Sequence, residues 1–324
     1  MKKLVVRSLI LIALAMTSSF GYLLIRWGST HPDVPKPAII AVTNPDVVAR
    51  GRYLFHAVGH CSGCHAARDE VRALGVGDEA VPSGGEVPMG PLGTLRAPNL
   101  TADPQTGVGA HSDGELARAI RYGIKADDTV ALLMISAGPY ADEDLTALIS
   151  YMRTLAPVRS VVPPSEVTLL GKVIMQTAAS HIGSPRPAFA TPPYVPAGVV
   201  SAERGKYLAE GPAACFGCHS EFDGSDFVGE LFAGNPEPWP DPEVDGASIF
   251  APNLTPHATA GALTGVSEDD FIRRMRAPRM YTASPMPWEN FRSMTDGDLR
   301  SIYRHLASLP ASPRDVGPAY QSGG

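Results

Sequence analysis

The sequence predicts an all-α protein built from two tandem copies of one domain, joined by long Pro/Gly-rich loops and preceded by an N-terminal transmembrane helix or signal segment. Three observations carry this. First, a pentapeptide occurs twice, as Cys61-Ser62-Gly63-Cys64-His65 and Cys215-Phe216-Gly217-Cys218-His219. Second, one offset of 154 residues maps further blocks onto each other: Arg50-Gly51-Arg52-Tyr53-Leu54 onto Arg204-Gly205-Lys206-Tyr207-Leu208, and Ala97-Pro98-Asn99-Leu100-Thr101 onto Ala251-Pro252-Asn253-Leu254-Thr255. The same offset maps Asp142, Asp144 and Leu145 onto Asp296, Asp298 and Leu299, so the chain is an internal duplication. Third, the apolar periodicity is helical, and no segment shows the alternation of a strand.

In chain order, residues 1–27 read as a membrane anchor or signal peptide. Lys2, Lys3 and Arg7 precede an apolar run from Leu9 to Ile25, and Arg26 and Trp27 flank it. Seventeen helical residues span roughly 26 Å, close to the hydrocarbon thickness of a bilayer. Ala13-Leu14-Ala15 offers a small-residue cleavage site instead. Either route exports the bulk of the chain. Residues 28–43 are a Pro-rich linker. The first domain covers 44–157, a connector 158–200, the second domain 201–311, and a flexible tail 312–324.

Each domain opens with a helix, at Asn44 with Pro45 in the first helical position, or at Ser201. A middle helix begins with a capping box, Ser112-x-x-Glu115, or its acidic variant Ser267-x-x-Asp270, and Gly123 stops the first of these. The last helix carries acidic residues in its first turn. Its buried stripe is Leu145, Leu148, Ile149, Met152 and Leu155, matched by Leu299, Ile302, Tyr303, Leu306 and Leu309. Gly51 and Gly205 allow the first helix to cross close over another, the last helix being the expected partner. The connector holds seven prolines, with Pro157 just before it, and one expected helix, Ser165 to His181.

The pentapeptide has a chemical logic. Two thiols three residues apart on one tight turn reach both vinyl groups on one edge of a porphyrin, and the following His offers a neutral imidazole nitrogen to the iron. Cys61, Cys64 and His65, with Cys215, Cys218 and His219, therefore predict two covalently attached c-type haems, and all four cysteines are used. A zinc site would not need a His after each second Cys, a thioredoxin-like pair needs a βαβ context, and two structural disulfides remain the other reading. For the sixth position on iron, the loop before each last helix supplies Met286, in Ser284-Pro285-Met286-Pro287, and Met134, in Leu132-Leu133-Met134-Ile135. Met89 and Met280 are the rivals. Met152 and Met275 align with core positions of the other copy. Pro98 and Pro252 are placed to offer a backbone carbonyl to the outer nitrogen of His65 and His219.

Formal net charge is −6, which argues against a nucleic-acid partner. Without the four basic groups of residues 1–26 it becomes −10, suited to a basic docking surface on a partner. No phosphate loop, nucleophile elbow or paired-carboxylate signature is present, so the chain is expected to be an electron carrier rather than an enzyme.

Each copy resembles a class I cytochrome c domain: first helix, Cys-x-x-Cys-His, proline loop, middle helix, Met loop, last helix. Ala-Pro-Asn-Leu-Thr followed by Gly107-Val108-Gly109, with the Met loop and Asp-x-Asp-Leu, further resembles the cytochrome c subunits of periplasmic membrane-bound dehydrogenases. That resemblance implies periplasmic electron transfer on the outer side of the bacterial inner membrane. Electrons would come from a dehydrogenase catalytic subunit and pass toward a downstream cytochrome, oxidase or quinone site. Two departures stand out: that subfamily commonly carries three haems, and Met134 lacks a following proline. The alternative is a peroxidase-like di-haem enzyme with an open or exchangeable sixth site on the first haem.

Overall fold

The computed structural model describes residues 34–131, 134, 139–172, 191–223, 226–241 and 243–322, with isolated positions 7, 8, 18 and 21. The expected anchor or signal segment, 1–27, lies outside the described residues apart from those four positions. Among the described residues no helix is long and apolar enough to cross a membrane.

In the first copy, α1 (Pro45–Tyr53) is capped by Asn44, whose side chain accepts from the amides of Asp46 and Val47, and Pro45 fills the first position. It runs on as a π-helical turn, Leu54–Val58. Then come α2 (Cys61–His65), α3 (Arg68–Arg72), β1 (Gly85–Pro88), β2 (Gly93–Ala97), α4 (Asp113–Tyr122), α5 (Asp142–Thr154) and β3 (Glu166–Val167). The second copy follows as α6 (Ala202–Glu210), α7 (Phe216–His219), β4 (Glu221–Phe222), β5 (Phe227–Val228), β6 (Asn235–Pro240), β7 (Ser248–Ala251), α8 (Glu268–Arg276), α9 (Trp288–Phe291), α10 (Asp296–Ala307) and β8 (Tyr320–Gln321). Both expected capping boxes form, and Gly123 ends α4 in the left-handed region at φ 67°.

The all-α expectation is overturned: the fold is mixed α/β. Among the described residues two three-stranded antiparallel sheets, β1-β2-β3 and β6-β7-β8, and one two-stranded ribbon, β4-β5, stand beside the helices. The reason lies in the strands. They are two to six residues long, too short to show alternation, and β6 reads Asn-Pro-Glu-Pro-Trp-Pro. Proline cannot donate to a ladder and is tolerated on an edge strand, which β6 is. Each third strand arrives from far along the chain: Val167 pairs with Gly93, and Gln321 with Ser248. The helix expected over Ser165 to His181 is thus preceded by a strand at Glu166–Val167; residues 169–172 are helical, and 173–181 lie outside the described residues. The 154-residue offset also relates Glu166 to Tyr320, so the duplication extends to the sheets.

The first and last helices of each copy cross at the predicted glycines. A Cβ on Gly51 would stand 1.9 Å from the carbonyl oxygen of Ala147, and one on Gly205 1.8 Å from that of Ser301. No side chain fits there. Met152 and Met275 are buried in the core, as the repeat alignment places them. One continuous apolar cluster runs from Leu54 and Phe55 through Leu145 and Leu148 to Leu208, Leu299 and Leu306, so both copies share it.

The copies are joined by an exchange of tyrosines that obeys the repeat. Tyr53, at the end of α1, donates to Asp298 Oδ2 at 2.8 Å and accepts from the amide of Thr295 at 3.1 Å. Tyr207, at the matching place in α6, donates to Asp144 Oδ2 at 2.8 Å and accepts from the amide of Ala141 at 3.3 Å. Each tyrosine therefore meets the N-terminus of the other copy's last helix. Each aspartate is also held by an arginine of its own copy: Arg50 to Asp144 (2.9 and 2.8 Å) and Arg204 to Asp298 (2.9 and 3.2 Å). Burial first, then the facing carboxylate, raises both phenols, so they stay protonated and donate. The contact is two-fold in pattern, the geometry of a symmetric dimer written into one chain.

Candidate functional site

Each pentapeptide forms a single helical turn, and each is entered the same way. The residue before the first Cys sits in the left-handed region: His60 at φ 40° and Ala214 at φ 48°. Non-glycine residues visit that region at a cost of about 1–2 kcal/mol. Its occurrence at matching positions in both copies marks a turn set by function rather than by local preference. The turn closes through Gly63 N to the His60 carbonyl (2.8 Å) and Gly217 N to the Ala214 carbonyl (3.0 Å).

The histidines are held from two directions. The carbonyl of His65 accepts from Gly84 N at 2.8 Å, and that of His219 from Gly234 N at 2.9 Å. On the ring, His65 Nδ1 is 2.8 Å from the carbonyl oxygen of Pro98, and His219 Nδ1 is 2.9 Å from that of Pro252. A carbonyl can only accept, so Nδ1 carries the proton and Nε2 keeps its lone pair. Burial depresses both imidazoles, partly opposed by the proline carbonyl, which keeps them neutral. This is the imidazole a metal requires.

The proline carbonyls are placed by a clamp that the sequence reading missed. Asn99 Oδ1 accepts from Thr101 N (2.9 Å) and Thr101 Oγ1 (2.7 Å), while its Nδ2 donates to the Val158 carbonyl at 2.7 Å. Asn253 repeats it: Thr255 N at 2.8 Å, Thr255 Oγ1 at 2.7 Å, and Nδ2 to the Ser312 carbonyl at 2.9 Å. The signal was the Asn-x-Thr spacing inside the repeated Ala-Pro-Asn-Leu-Thr block. Both asparagines are buried, and their bonds to Thr101 and Thr255 are sheltered from water.

Loss of water contact pushes the Cys61 and Cys215 thiols up to about 12, with the second thiol of each pair adding to it. That is the reverse of a redox-active pair, whose reactive thiol is depressed. No disulfide joins the four cysteines, and among the described residues no group of three or more His, Cys, Asp or Glu is placed to hold a metal ion. What each copy does assemble is two thiols and one oriented, neutral imidazole. This donor set fits a porphyrin tethered by two thioethers and ligated from one side.

Of the sulfur candidates, Met134 and Met286 are half-buried and pack against the same apolar cluster as Cys61 and Cys215. Met280 is 61% exposed, which removes it from the core. The neighbours of Met134 at 132–133 and 135–138 lie outside the described residues. Met286 is set by Pro285 and Pro287, and its carbonyl accepts from Trp288 N at 2.9 Å.

No protein-family model matches the chain. It is 29% identical over 293 residues to the gluconate 2-dehydrogenase cytochrome c subunit of Pantoea cypripedii, a match covering 83% of this chain and 60% of that protein. It is 28% identical over 291 residues to the alcohol dehydrogenase (quinone) cytochrome c subunit of Gluconacetobacter polyoxogenes, covering 84% and 58%. A diheme c-type cytochrome of Cereibacter sphaeroides is 26% identical over 294 residues, covering 87% of this chain and 92% of its own length. The chain thus spans about 60% of the length of the two dehydrogenase subunits and most of the diheme protein. It is similar to cytochrome c subunits of dehydrogenases, the resemblance its motifs carry.

Proposed function

We propose that this chain transfers electrons through two c-type haems, one at each pentapeptide, on the periplasmic side of the inner membrane. The observation that carries the reading is the duplicated turn in which Nδ1 of His65 and of His219 is committed to a proline carbonyl and Nε2 is left for iron. Similarity to dehydrogenase cytochrome subunits and to a diheme cytochrome supports it.

A bound haem supplies a one-electron couple at each site. The protein's own groups do the rest. Cys61 and Cys64, and Cys215 and Cys218, would hold the porphyrin by thioether bonds. His65 and His219 would ligate the iron through Nε2, and the hydrogen bond from Nδ1 to the carbonyl of Pro98 or Pro252 fixes the ring and would strengthen the imidazole as a donor. Met134 and Met286 would supply the second ligand to each iron, and a thioether there would raise the potential. With a His and a Met committed to each iron, no position would be left open to a substrate, so the chain would carry electrons without itself making or breaking bonds.

The partner is a dehydrogenase catalytic subunit, and the electrons go on to a downstream cytochrome, oxidase or quinone site. Two measurements test this. Acid–acetone extraction is expected to leave the colour on the protein with two irons per chain, and the oxidised protein is expected to show a near-infrared sulfur–iron band worth two methionine ligands. Colour lost to the solvent, one iron per chain, or rapid turnover of peroxide would refute it. The donor is read from what co-purifies: a quinoprotein, flavoprotein or molybdenum subunit is expected.

A further inference from the structure

The segment after Met286 does not stay in its own copy. α9 and the residues beside it lie on the attachment turn of the first copy. Asn290 is 3% exposed, and its Nδ2 donates to the carbonyl of His56 at 2.7 Å and to Ser62 Oγ at 3.0 Å. Ser62 is the second residue of the first pentapeptide and is itself buried. Asn290 Oδ1 has no partner although it is buried, and a Cβ on Gly63 would stand 3.6 Å from it. The contact is reinforced on both sides: the ring of Phe291 packs edge-on against that of His60 at 5.5 Å, and Arg292 donates to the carbonyl of Leu74. Gly77 N donates to Ser293 Oγ at 3.0 Å, and Arg72 to the carbonyl of Thr282 at 2.8 Å.

This arrangement gives one short segment two jobs. At Met286 it presents the sulfur proposed for the second iron. Four residues later it grips the turn that would hold the first porphyrin. Nothing in ordinary packing demands a buried amide there. An unpaired buried acceptor is unfavourable, and an apolar side chain of the same size would avoid it. The amide is explained if its bonds to the first turn are what hold the methionine loop in register.

We propose that Asn290 is a positioning residue that couples the two haem sites, tying the methionine loop of the second to the attachment turn of the first. The inference rests on the electron-transfer reading above. Coupling of this kind is reciprocal: a change at the first turn must be felt at the second site, and the reverse. Losing the grip frees the loop, weakens sulfur ligation and lowers the second site's potential, because a thioether ligand raises it.

The test is a spectroelectrochemical titration of the full haem-loaded chain as wild type, Asn290→Ala, Ser62→Ala and the double variant. Met286→His identifies which wave belongs to the second site. Asn290→Ala is expected to lower that wave by about a tenfold change in the one-electron equilibrium constant, about 59 mV. Ser62→Ala, a change in the other copy, is expected to move the same wave in the same direction by less. The double variant is expected to match Asn290→Ala alone, since both remove one interaction. Should Asn290→Ala fail to accumulate, Ser62→Ala decides by itself, because it removes only a hydroxyl. A second-site wave that stays in place in Ser62→Ala, or shifts that simply add, overturns the coupling. So does an Asn290→Ala protein whose denaturation midpoint falls while both waves stay put, for the amide would then be structural only. Two attached haems with independent waves defeat this inference alone, whereas a chain without covalent haem defeats it together with the electron-transfer reading.

Discussion

Asp298→Ala and Asp144→Ala are the same substitution at matching positions, yet their costs are expected to differ. Arg204 is 0% exposed, and its partner Asp298 5% by side chain; Arg50 is 14% exposed against 1% for Asp144. Deleting Asp298 leaves the Arg204 guanidinium buried with the Val195 carbonyl, 2.5 Å from Nη1, and the Tyr207 ring beneath it but no counter-charge, and takes the acceptor from the Tyr53 hydroxyl. Removing one member of a buried pair costs about 3–5 kcal/mol, and the orphaned tyrosine falls within that figure rather than adding to it. Deleting Asp144 is expected to cost about 2–3 kcal/mol, because Arg50 reaches solvent and part of the interaction is already screened. Against a typical total of about 5–15 kcal/mol, the first change removes a large share of stability.

Urea denaturation of the haem-loaded protein, followed by far-ultraviolet circular dichroism, reads both as midpoint shifts at constant slope. Tyr53→Phe completes the set. It deletes one hydroxyl from the opposite copy and is expected to cost about 1–2 kcal/mol as a hydrogen bond to a charged acceptor. Replacing the pair together, as Arg204→Met with Asp298→Leu, is expected to cost less than Asp298→Ala alone. If Asp298→Ala proves no worse than Asp144→Ala, or Tyr53→Phe leaves the midpoint in place, the buried exchange between the copies is not what joins them.

Three other outcomes are expected. Gly205→Ala drives a methyl to 1.8 Å from the Ser301 carbonyl and 2.9 Å from His305 Cβ, and the overpacking outweighs the gain of about 1 kcal/mol in helix propensity, so the denaturation midpoint falls. Gly217→Ala meets nothing within 4 Å, and haem attachment and midpoint are expected to survive it. His56, buried against Tyr151 at 2.7 Å with Glu79 at 3.7 Å, has its imidazole lowered to about 4 by burial, Glu79 opposing and Arg52 assisting. The unfolded chain, with its ordinary value of 6.5, takes up the proton first, so His56's contribution to stability is whole above about 6.5 and is lost as pH falls toward about 4. His56→Gln is expected to flatten stability against pH across that window; an unchanged slope would mean the ring is not buried in the folded protein.

Local rules made much of this chain legible. Asn44, Ser112, Ser201 and Ser267 announce helix starts because a short polar side chain satisfies amides a few atoms away. Gly51 and Gly205 announce a crossing because only a residue without Cβ admits a backbone so near. Pro98 and Pro252 were readable as histidine partners through their place in the repeat, and the Asn99 and Asn253 clamps were available in the same block. The strands were not legible. Pairing over two to six residues, with the third strand some seventy positions away, leaves no period to detect.

What the residues determined by themselves is chemical identity and duplication: thiols and imidazole at a fixed spacing, repeated at 154, on helices whose caps and stripes are written within a few positions. Those features depend on neighbours along the chain, so they survive without knowledge of the fold. Tertiary structure alone decided the tyrosine exchange, the left-handed turns at His60 and Ala214, and the grip of Asn290 on Ser62. The last spans 228 residues, and no local pattern reports such a contact, because its energy exists only when the two copies have already met.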